Sequence, residues 1–500
     1  MKQHLVLLYA TLLRLFKKPF LCLDITLKLL YVPGFNRLRQ FNAAANAYAV
    51  FIYAKKNVPG YKVFLQSKAF SAPSFNGLVP NIHEIPFTDK ENYVKQFSME
   101  ERCVNGKIPR QSVIIDESSG SSGTATNWAR GKKERKINAR MIQFGMRNLF
   151  GNNPIFIINA FAMGPWATGV NVTMSCSKIS MLKSIGPDKI KIENTLFHFG
   201  KRHKYVIMGY PPFFKILIDN STIDWHCYDV SFIVGGESMS VNMREYLIKK
   251  GIKKVYSSYG ASDIELNISA ENDATISIRK LVESNKELRK KVLKYSGAMP
   301  MVFQYNPADF FIECSADGEL MITVSRQGYI APKIRYNIHD RGHILQLKDF
   351  YEILKDLNID ETKFIKPLTD LPLLFHYGRS DLAVSFFGAN ISPNDVQESL
   401  YDLPELISQI NSYSLSVNEG IDGGKELIIS FEMQKNKKCN SNNLANSESI
   451  FFEKLSNVNQ DFREARRMLN GNHQLKLCIY SFNTGPFHNI DTRIKARYID

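Results

Sequence analysis

The chain has no paired-cysteine motif. Its seven cysteines (Cys22, Cys103, Cys176, Cys227, Cys314, Cys439 and Cys478) are scattered over 500 residues without a Cys-x-x-Cys spacing. An odd, unclustered set excludes a disulfide framework and a thiolate zinc site, and it suits reduced thiols in a cytoplasmic setting. There is no long apolar run either. The stretch Leu5–Val32 is broken by Arg14, Lys17, Lys18, Asp24 and Lys28, well short of the roughly 18–20 apolar residues of a spanning helix. No small-residue cleavage site follows Leu5–Leu13, which argues against a secretory leader. Packed amphipathic helices or a peripheral contact with a membrane surface are what remain. Acidic residues are scarce: 48 against 64 lysines and arginines, a formal charge of +16. Such a balance suits nucleic acid, an anionic membrane or small anionic substrates. The basic clusters at Lys132–Lys136, Lys201–Lys204, Lys249–Lys254 and Arg289–Lys294 are dispersed. No nucleic-acid motif surrounds them, so nucleic acid is not expected as a partner.

With 44% hydrophobic and 22% charged residues, the chain can build a packed core, and its length allows two or more domains. Residues 1–70 carry apolar side chains at helical spacing. Further on, short β-branched segments (Ile155–Ile158, Tyr205–Met208, Ser231–Val234, Lys254–Tyr256) alternate with amphipathic stretches, the pattern of an α/β fold. Strands dominate after about 300, at Phe310–Cys314, Glu319–Val324 and Gly342–Leu347. A second unit is expected to begin near Tyr377–Asp381, with a strand at Leu382–Phe387 and a helix starting at Pro393. Residues 434–449, rich in Asn, Ser and Lys, read as an exposed loop.

The densest chemical signal is VIIDESSGSSGTATNWARG at Val113–Gly131. A β-branched run leads into a loop offering hydroxyls from Ser118, Ser119, Ser121, Ser122, Thr124 and Thr126. Gly120 and Gly123 allow close backbone approach. Such a loop suits a phosphate, or it is a flexible Ser/Gly linker. It is not a Walker loop, because no Lys-Ser or Lys-Thr follows the second glycine. Four more segments have site-like composition: NAFAMGPWATG (Asn159–Gly169), FIVGGE (Phe232–Glu237), SSYGASD (Ser257–Asp263) and IRYNIHDRG (Ile334–Gly342). Each also has a plain reading as a packed turn.

In this order the segments resemble those of the adenylate-forming enzymes, in the branch of phenylacetate–CoA ligase and its capsule-biosynthesis relatives. GRSDLAVSFFGANISP (Gly378–Pro393) resembles the hinge between large and small domains, and YAKKNVPGYK and IPFTDKENY resemble the branch's early motifs. The resemblance implies an α/β fold with a large multi-subdomain domain (1–377, helical over about 1–70) and a small mobile α+β domain (378–500). It implies activation of a carboxylic acid by ATP and Mg²⁺ as an acyl-adenylate, with release of pyrophosphate. Transfer would follow to a thiol, foremost coenzyme A.

By the same resemblance, Ser118, Ser119, Gly120, Ser121, Ser122, Gly123 and Thr124 would bind the ATP phosphates. Gly235, Gly236, Glu237, Ser258, Tyr259 and Gly260 would surround adenine. Ser262 would touch the α-phosphate, and Asp263 would assist Mg²⁺. Asp340 and Arg379 would hold the ribose side, Asp381 would be the hinge, and Lys495 would be the catalytic lysine. Phe161, Gly164 and Trp166 are candidates for the acid pocket.

The chain departs from the family pattern in three places. Thr124 and Ala125 stand where a lysine and a proline often follow the phosphate loop, His339 where a glycine precedes the ribose aspartate, and Ile494 where a glycine precedes the lysine. Two alternatives stay open. One is adenylation with transfer to a carrier protein, a protein cysteine or an amine; the other is a nucleotide-binding scaffold without catalysis. A homodimer is also left open.

Overall fold

The computed structural model describes residues 1–20, 23–29, 32–118, 126–164, 167–236, 238–295, 299–326, 328–380, 384–386, 389–419, 425–435, 437, 444–459, 462–463, 466 and 474–488. The chain divides into two compact units, Met1–Gly186 with Ser258–Leu288 and Val302–His376, and Pro187–Ser257 with Arg289–Met301 and Tyr377–Asp500.

The first unit opens with the helices expected over the first 70 residues: Lys2–Phe20, Asp24–Leu29, Asn36–Asn57 and Pro59–Ser67. Asn36–Asn57 is buried through an alanine-rich face, Ala43 to Ala54, with Tyr48 and Phe51 inserted in the core. Pro59 starts the next helix, where its missing N–H costs nothing. Strands lie side by side in the order Phe310–Cys314, Glu319–Val324, Tyr336–Leu345, Leu373–Arg379, Met301–Gln304, Glu265–Ala270, Val255–Ala261. Separately, Val113–Ser118 pairs antiparallel with Thr126–Gly131, in register Ser118↔Thr126. The Ser/Gly stretch therefore joins two paired strands; it is not a linker between domains.

A buried ionic chain ties the first helix to this unit. Lys17 Nζ donates to Asp309 Oδ1 at 2.5 Å, and Arg326 Nε lies 3.5 Å from the same oxygen. Burial alone would raise the Asp309 carboxyl, but Lys17 and Arg326 outweigh it and hold it at about 2. A carboxylate whose pKa is lower in the fold than the ~3.9 of the unfolded chain stabilises the fold above pH 4, and that contribution fades as pH falls towards 2. Chemical denaturation at pH 6 and pH 3 should thus show a steeper acid loss for the wild type than for Asp309→Asn. Parallel pH dependences would refute this.

In the second unit, Lys204–Gly209 and Asp229–Gly235 pair in parallel, register Lys204↔Asp229, and are buried almost throughout, as parallel strands are. Phe214 stacks on Phe232 at 4.0 Å. Ser240 caps the helix Val241–Lys249 through the N–H of Met243, a device worth about 1 kcal/mol. Further along the chain, Ile410–Glu419, Lys425–Met433 and Leu475–Tyr480 form a three-stranded sheet, antiparallel then parallel. Helices Pro393–Tyr401 and Leu444–Val458 share its core with Phe431, Phe451 and Phe452. Of the stretch 434–449 expected as a loop, Leu444 onwards is helix, and 436 and 438–443 lie outside the described residues. No helix among the described residues is long and apolar enough to cross a membrane.

Candidate functional site

Two of the site-like segments of the first unit, SSYGASD and IRYNIHDRG, meet through their strands. SSYGASD forms the strand Val255–Ala261 and the tight turn that leads into Glu265–Ala270, closed by Ile264 N–H donating to the Ala261 carbonyl at 3.0 Å. A Cβ at Gly260 would stand 2.3 Å from the Leu266 carbonyl oxygen, so only glycine lets these strands approach so closely. The turn carries Ser262 and Asp263 at its tip.

Asp340 lies inside the strand Tyr336–Leu345, not at the turn its sequence suggests. Met321 pairs with Asn337 but Glu319 pairs with Arg341, so extra residues bulge out between them. His339 takes φ +63° in this bulge, which is why glycine fits there. A non-glycine residue pays about 1–2 kcal/mol for that conformation. The backbone N–H of His339 donates to Asn337 Oδ1 at 2.8 Å, and its Nδ1 lies 3.2 Å from Glu319 Oε1. Bulges re-aim side chains. Here Asp340 is buried and its Oδ2 accepts from the Tyr259 hydroxyl at 2.6 Å. His376 Nε2 lies 3.3 Å from the same oxygen, at ion-pair distance but off hydrogen-bond alignment. The Tyr259 ring packs 4.5 Å from His376 and stacks on Phe303 at 6.0 Å.

A second group surrounds Asp263. Its Oδ2 accepts from the Tyr336 hydroxyl at 3.2 Å and faces Lys90 Nζ at 3.5 Å. Burial, and then the Asp263 charge, push the Tyr336 phenol well above its ordinary pKa. Arg130 clamps the turn by donating to the carbonyls of Ile264, at 2.7 Å, and Ser262. Asp116 backs Arg130 from 3.4 Å, and Asn171 Nδ2 donates to Asp116 Oδ1 at 3.0 Å.

Beside this turn lie two cations that form no ion pair with a described carboxylate, Lys333 and Arg102. Lys333 is buried with its ammonium 3.8 Å from the Trp128 ring centroid and 5.7 Å from that of Tyr336. No carboxylate among the described residues comes within ion-pair distance of it. Arg102 covers Trp128 at 5.3 Å, and its side chain donates from Nε to the Ser98 carbonyl. Trp128 Nε1–H is buried with no partner among the described residues. Burial foremost, then Arg130 and Arg102, drive the Lys333 ammonium well below its ordinary pKa. Buried amines so perturbed cluster at functional sites.

Of the residues singled out in the sequence, Tyr259 and Asp340 come together in the first unit, and Gly260, Ser262 and Asp263 follow Tyr259 along the same strand and turn. Ser258 lies on the Tyr259 strand and donates to Asn267 Oδ1 at 3.4 Å. Phe161 is core, and Gly164 has φ +92°. In the second unit, Gly235 ends a strand, and Gly236 takes φ +85° with the Tyr210 ring 2.5 Å from where a Cβ would stand. Arg379 ends the strand that begins at Leu373. Ser118 closes the strand before the loop, whereas Ser119–Thr124, Trp166, Glu237, Asp381 and Lys495 lie outside the described residues. The sequence reading missed Arg130, Trp128, Lys333, Tyr336, Lys90, Arg102 and His376. Five of these were in view: Trp128 and Arg130 directly follow the Ser/Gly loop, Lys333 and Tyr336 flank or sit in IRYNIHD, and Lys90 is in IPFTDKENY.

No protein-family model matches the chain, and no curated protein matches it in sequence. Solved structures do match in shape. A 2-hydroxyisobutyryl-CoA ligase, in the postadenylation state with R3-HIB-AMP, superposes with a TM-score of 0.68 at 12% identity, covering 94% of this chain and 90% of that one. The same ligase with 2-HIB-AMP and CoA, in the thioesterification state, gives 0.52 at 12% identity over 93% and 90%. The anthranilate CoA ligase AuaEII with anthranoyl-AMP gives 0.50 at 8% identity over 79% and 68%. The likeness is one of fold: this chain has the α/β fold of the adenylate-forming ligases.

Proposed function

We propose that this protein activates a carboxylic acid with ATP, forming an acyl-adenylate and pyrophosphate, and passes the acyl group to a thiol, coenzyme A in the first place. The observation that carries the reading is the join between two distant segments, Tyr259 to Asp340, in a chain of this fold. In the resembling family these segments supply the adenine and ribose contacts. Asp340, oriented by Tyr259 and His376, would take the ribose hydroxyls. Asp263 and Ser262 would face the α-phosphate. A magnesium site of one carboxylate completed by ATP phosphates is a common form, and Asp263 fits it, being held on one oxygen by Tyr336 and Lys90. Bound there, Mg²⁺ would neutralise charge developing on the phosphate oxygens.

The phosphate loop lacks its usual lysine. We assign that charge to Lys333 and Arg102, which flank Trp128 just past that segment and form no ion pair with a carboxylate among the described residues. They would receive the pyrophosphate as it leaves, with Lys90 nearby on Asp263. On the strength of the sequence alone, Ser118–Thr124 are assigned to the phosphates, Gly235, Gly236 and Glu237 to adenine, and Phe161, Gly164 and Trp166 to the acid. Arg379 is assigned to the nucleotide, Asp381 to a hinge before the small domain, and Lys495 to the reacting phosphate. The phenylacetate–CoA ligase branch and a cytoplasmic setting rest on the same footing.

ATP–pyrophosphate exchange over a panel of carboxylic acids tests the reading; no exchange with any acid, despite ATP binding, would favour a scaffold. Adding coenzyme A or a carrier protein identifies the acceptor. Hydrogen bonds to a charged group contribute about 1.5–3 kcal/mol each, so Asp340→Ala should weaken ATP by about tenfold or more. Equal affinity of the wild type for ATP and 2′-deoxy-ATP would sink the ribose assignment.

A further inference from the structure

The first helix carries an apolar stripe that the fold does not use. Its inner face docks on the first unit: Val6 and Ala10 are buried, the Tyr9 hydroxyl donates to Asn42 Oδ1 at 2.6 Å, and Lys17 reaches Asp309. On the other side Leu5, Leu8, Leu12, Leu15 and Phe16 fall within about 100° of arc. All five are 44–68% exposed. Scattered exposed leucines are ordinary, but a contiguous stripe marks a contact surface. Leu23 and Ile25, just beyond the helix, are exposed as well.

Charge selects the occupant. Residues 1–83 hold eleven lysines and arginines against a single acidic residue, Asp24, and of these cations Lys17 and Arg39 are held by Asp309 and Asp370. Asp24 is itself neutralised by Arg140 Nη2 at 2.6 Å and Arg147 Nη2 at 2.9 Å. A second copy of this surface would bring two such positive fields together. A membrane with anionic lipids offers both an apolar layer for the stripe and negative charge for its surroundings. We infer that Lys2–Phe20 lies in the interface of an anionic bilayer and holds this protein at the membrane surface without crossing it.

Flotation of the full chain with vesicles tests this, using phosphatidylcholine alone and phosphatidylcholine mixed with phosphatidylglycerol in equal parts. Binding is expected only to the mixed vesicles and should weaken as salt is raised. Leu8→Glu/Leu12→Glu places charge in the middle of the stripe and should lower binding by about tenfold or more, because the apolar area entering the bilayer falls. Both positions are exposed, so thermal unfolding should be unchanged. Equal binding of this variant and the wild type would overturn the proposal, as would equal binding to both vesicle types. So would sedimentation showing a dimer that the variant converts to monomer, since a second copy would then cover the stripe. None of these outcomes depends on the enzymatic reading.

Discussion

Lys333→Met should slow ATP–pyrophosphate exchange by about 10²–10³-fold, the usual cost of one preorganised charge-stabilising donor, and should raise the unfolding temperature. The two effects have one origin. In the free protein the Lys333 ammonium is buried against Trp128 and Tyr336, and burial with the like charges of Arg130 and Arg102 outweighs the attraction of Asp263 and Glu134. Burying an unpaired charge is costly, and methionine keeps the length and apolar contact while removing that charge. A lysine retained only for packing predicts the opposite pairing, with stability lost and rate unchanged. Either half of that result would refute the assignment.

The same residue gives a pH signature. Its pKa is depressed in the free protein, so the amine loses its proton at a pH below the ordinary value near 10.4. A bound polyphosphate would favour the charged form. ATP binding should therefore take up a proton in the window between the depressed and the restored pKa. This appears as a binding enthalpy that changes with the ionisation heat of the buffer, and Lys333→Met should abolish it. A buffer-independent enthalpy in the wild type across that window would count against Lys333 as a phosphate ligand.

Local patterns carried much of the fold. Phe310–Cys314 and Glu319–Val324 are strands with the bounds their β-branched, alternating residues suggest, and Ser392 and Pro393 start a helix as their side chains favour. Asp340 was legible as a residue type but not as a position. Its burial depends on a bulge, and a bulge is a mismatch in pairing with Glu319–Val324 that one strand cannot reveal. His339 was visible as an oddity, and its positive φ gives the oddity a reason. Lys333 and Arg102 were hidden for another cause. They lie more than two hundred residues apart in sequence and meet only across Trp128. Composition counts their charges but cannot say that no described carboxylate comes within ion-pair distance of either.

Lys495→Ala should separate the two half-reactions. Lys495, beyond a Gly-Arg-Ser-Asp segment at Gly378–Asp381, is assigned to the small domain of the proposed enzyme. It could reach the α-phosphate in one orientation of that domain and would be withdrawn in the other. Its loss should reduce adenylate formation by about 10²–10³-fold, yet leave thioester formation from a supplied acyl-adenylate nearly intact. Asp381→Pro should do the reverse, since proline fixes φ at the pivot and holds the adenylating orientation. Within the second unit, Gln397 and Glu398 accept from the backbone N–H groups of Ser240 and Val241 at 3.2 and 3.1 Å. A domain that swings must release these bonds. Gln397→Ala/Glu398→Ala should therefore change the ratio of the two half-reaction rates without removing either. Rapid-quench measurement of each half-reaction decides the matter. Equal loss of both halves in Lys495→Ala and in Asp381→Pro, with folding preserved, would exclude the two-orientation mechanism. Full activity in Lys495→Ala would mean that another residue bears the reacting phosphate's charge.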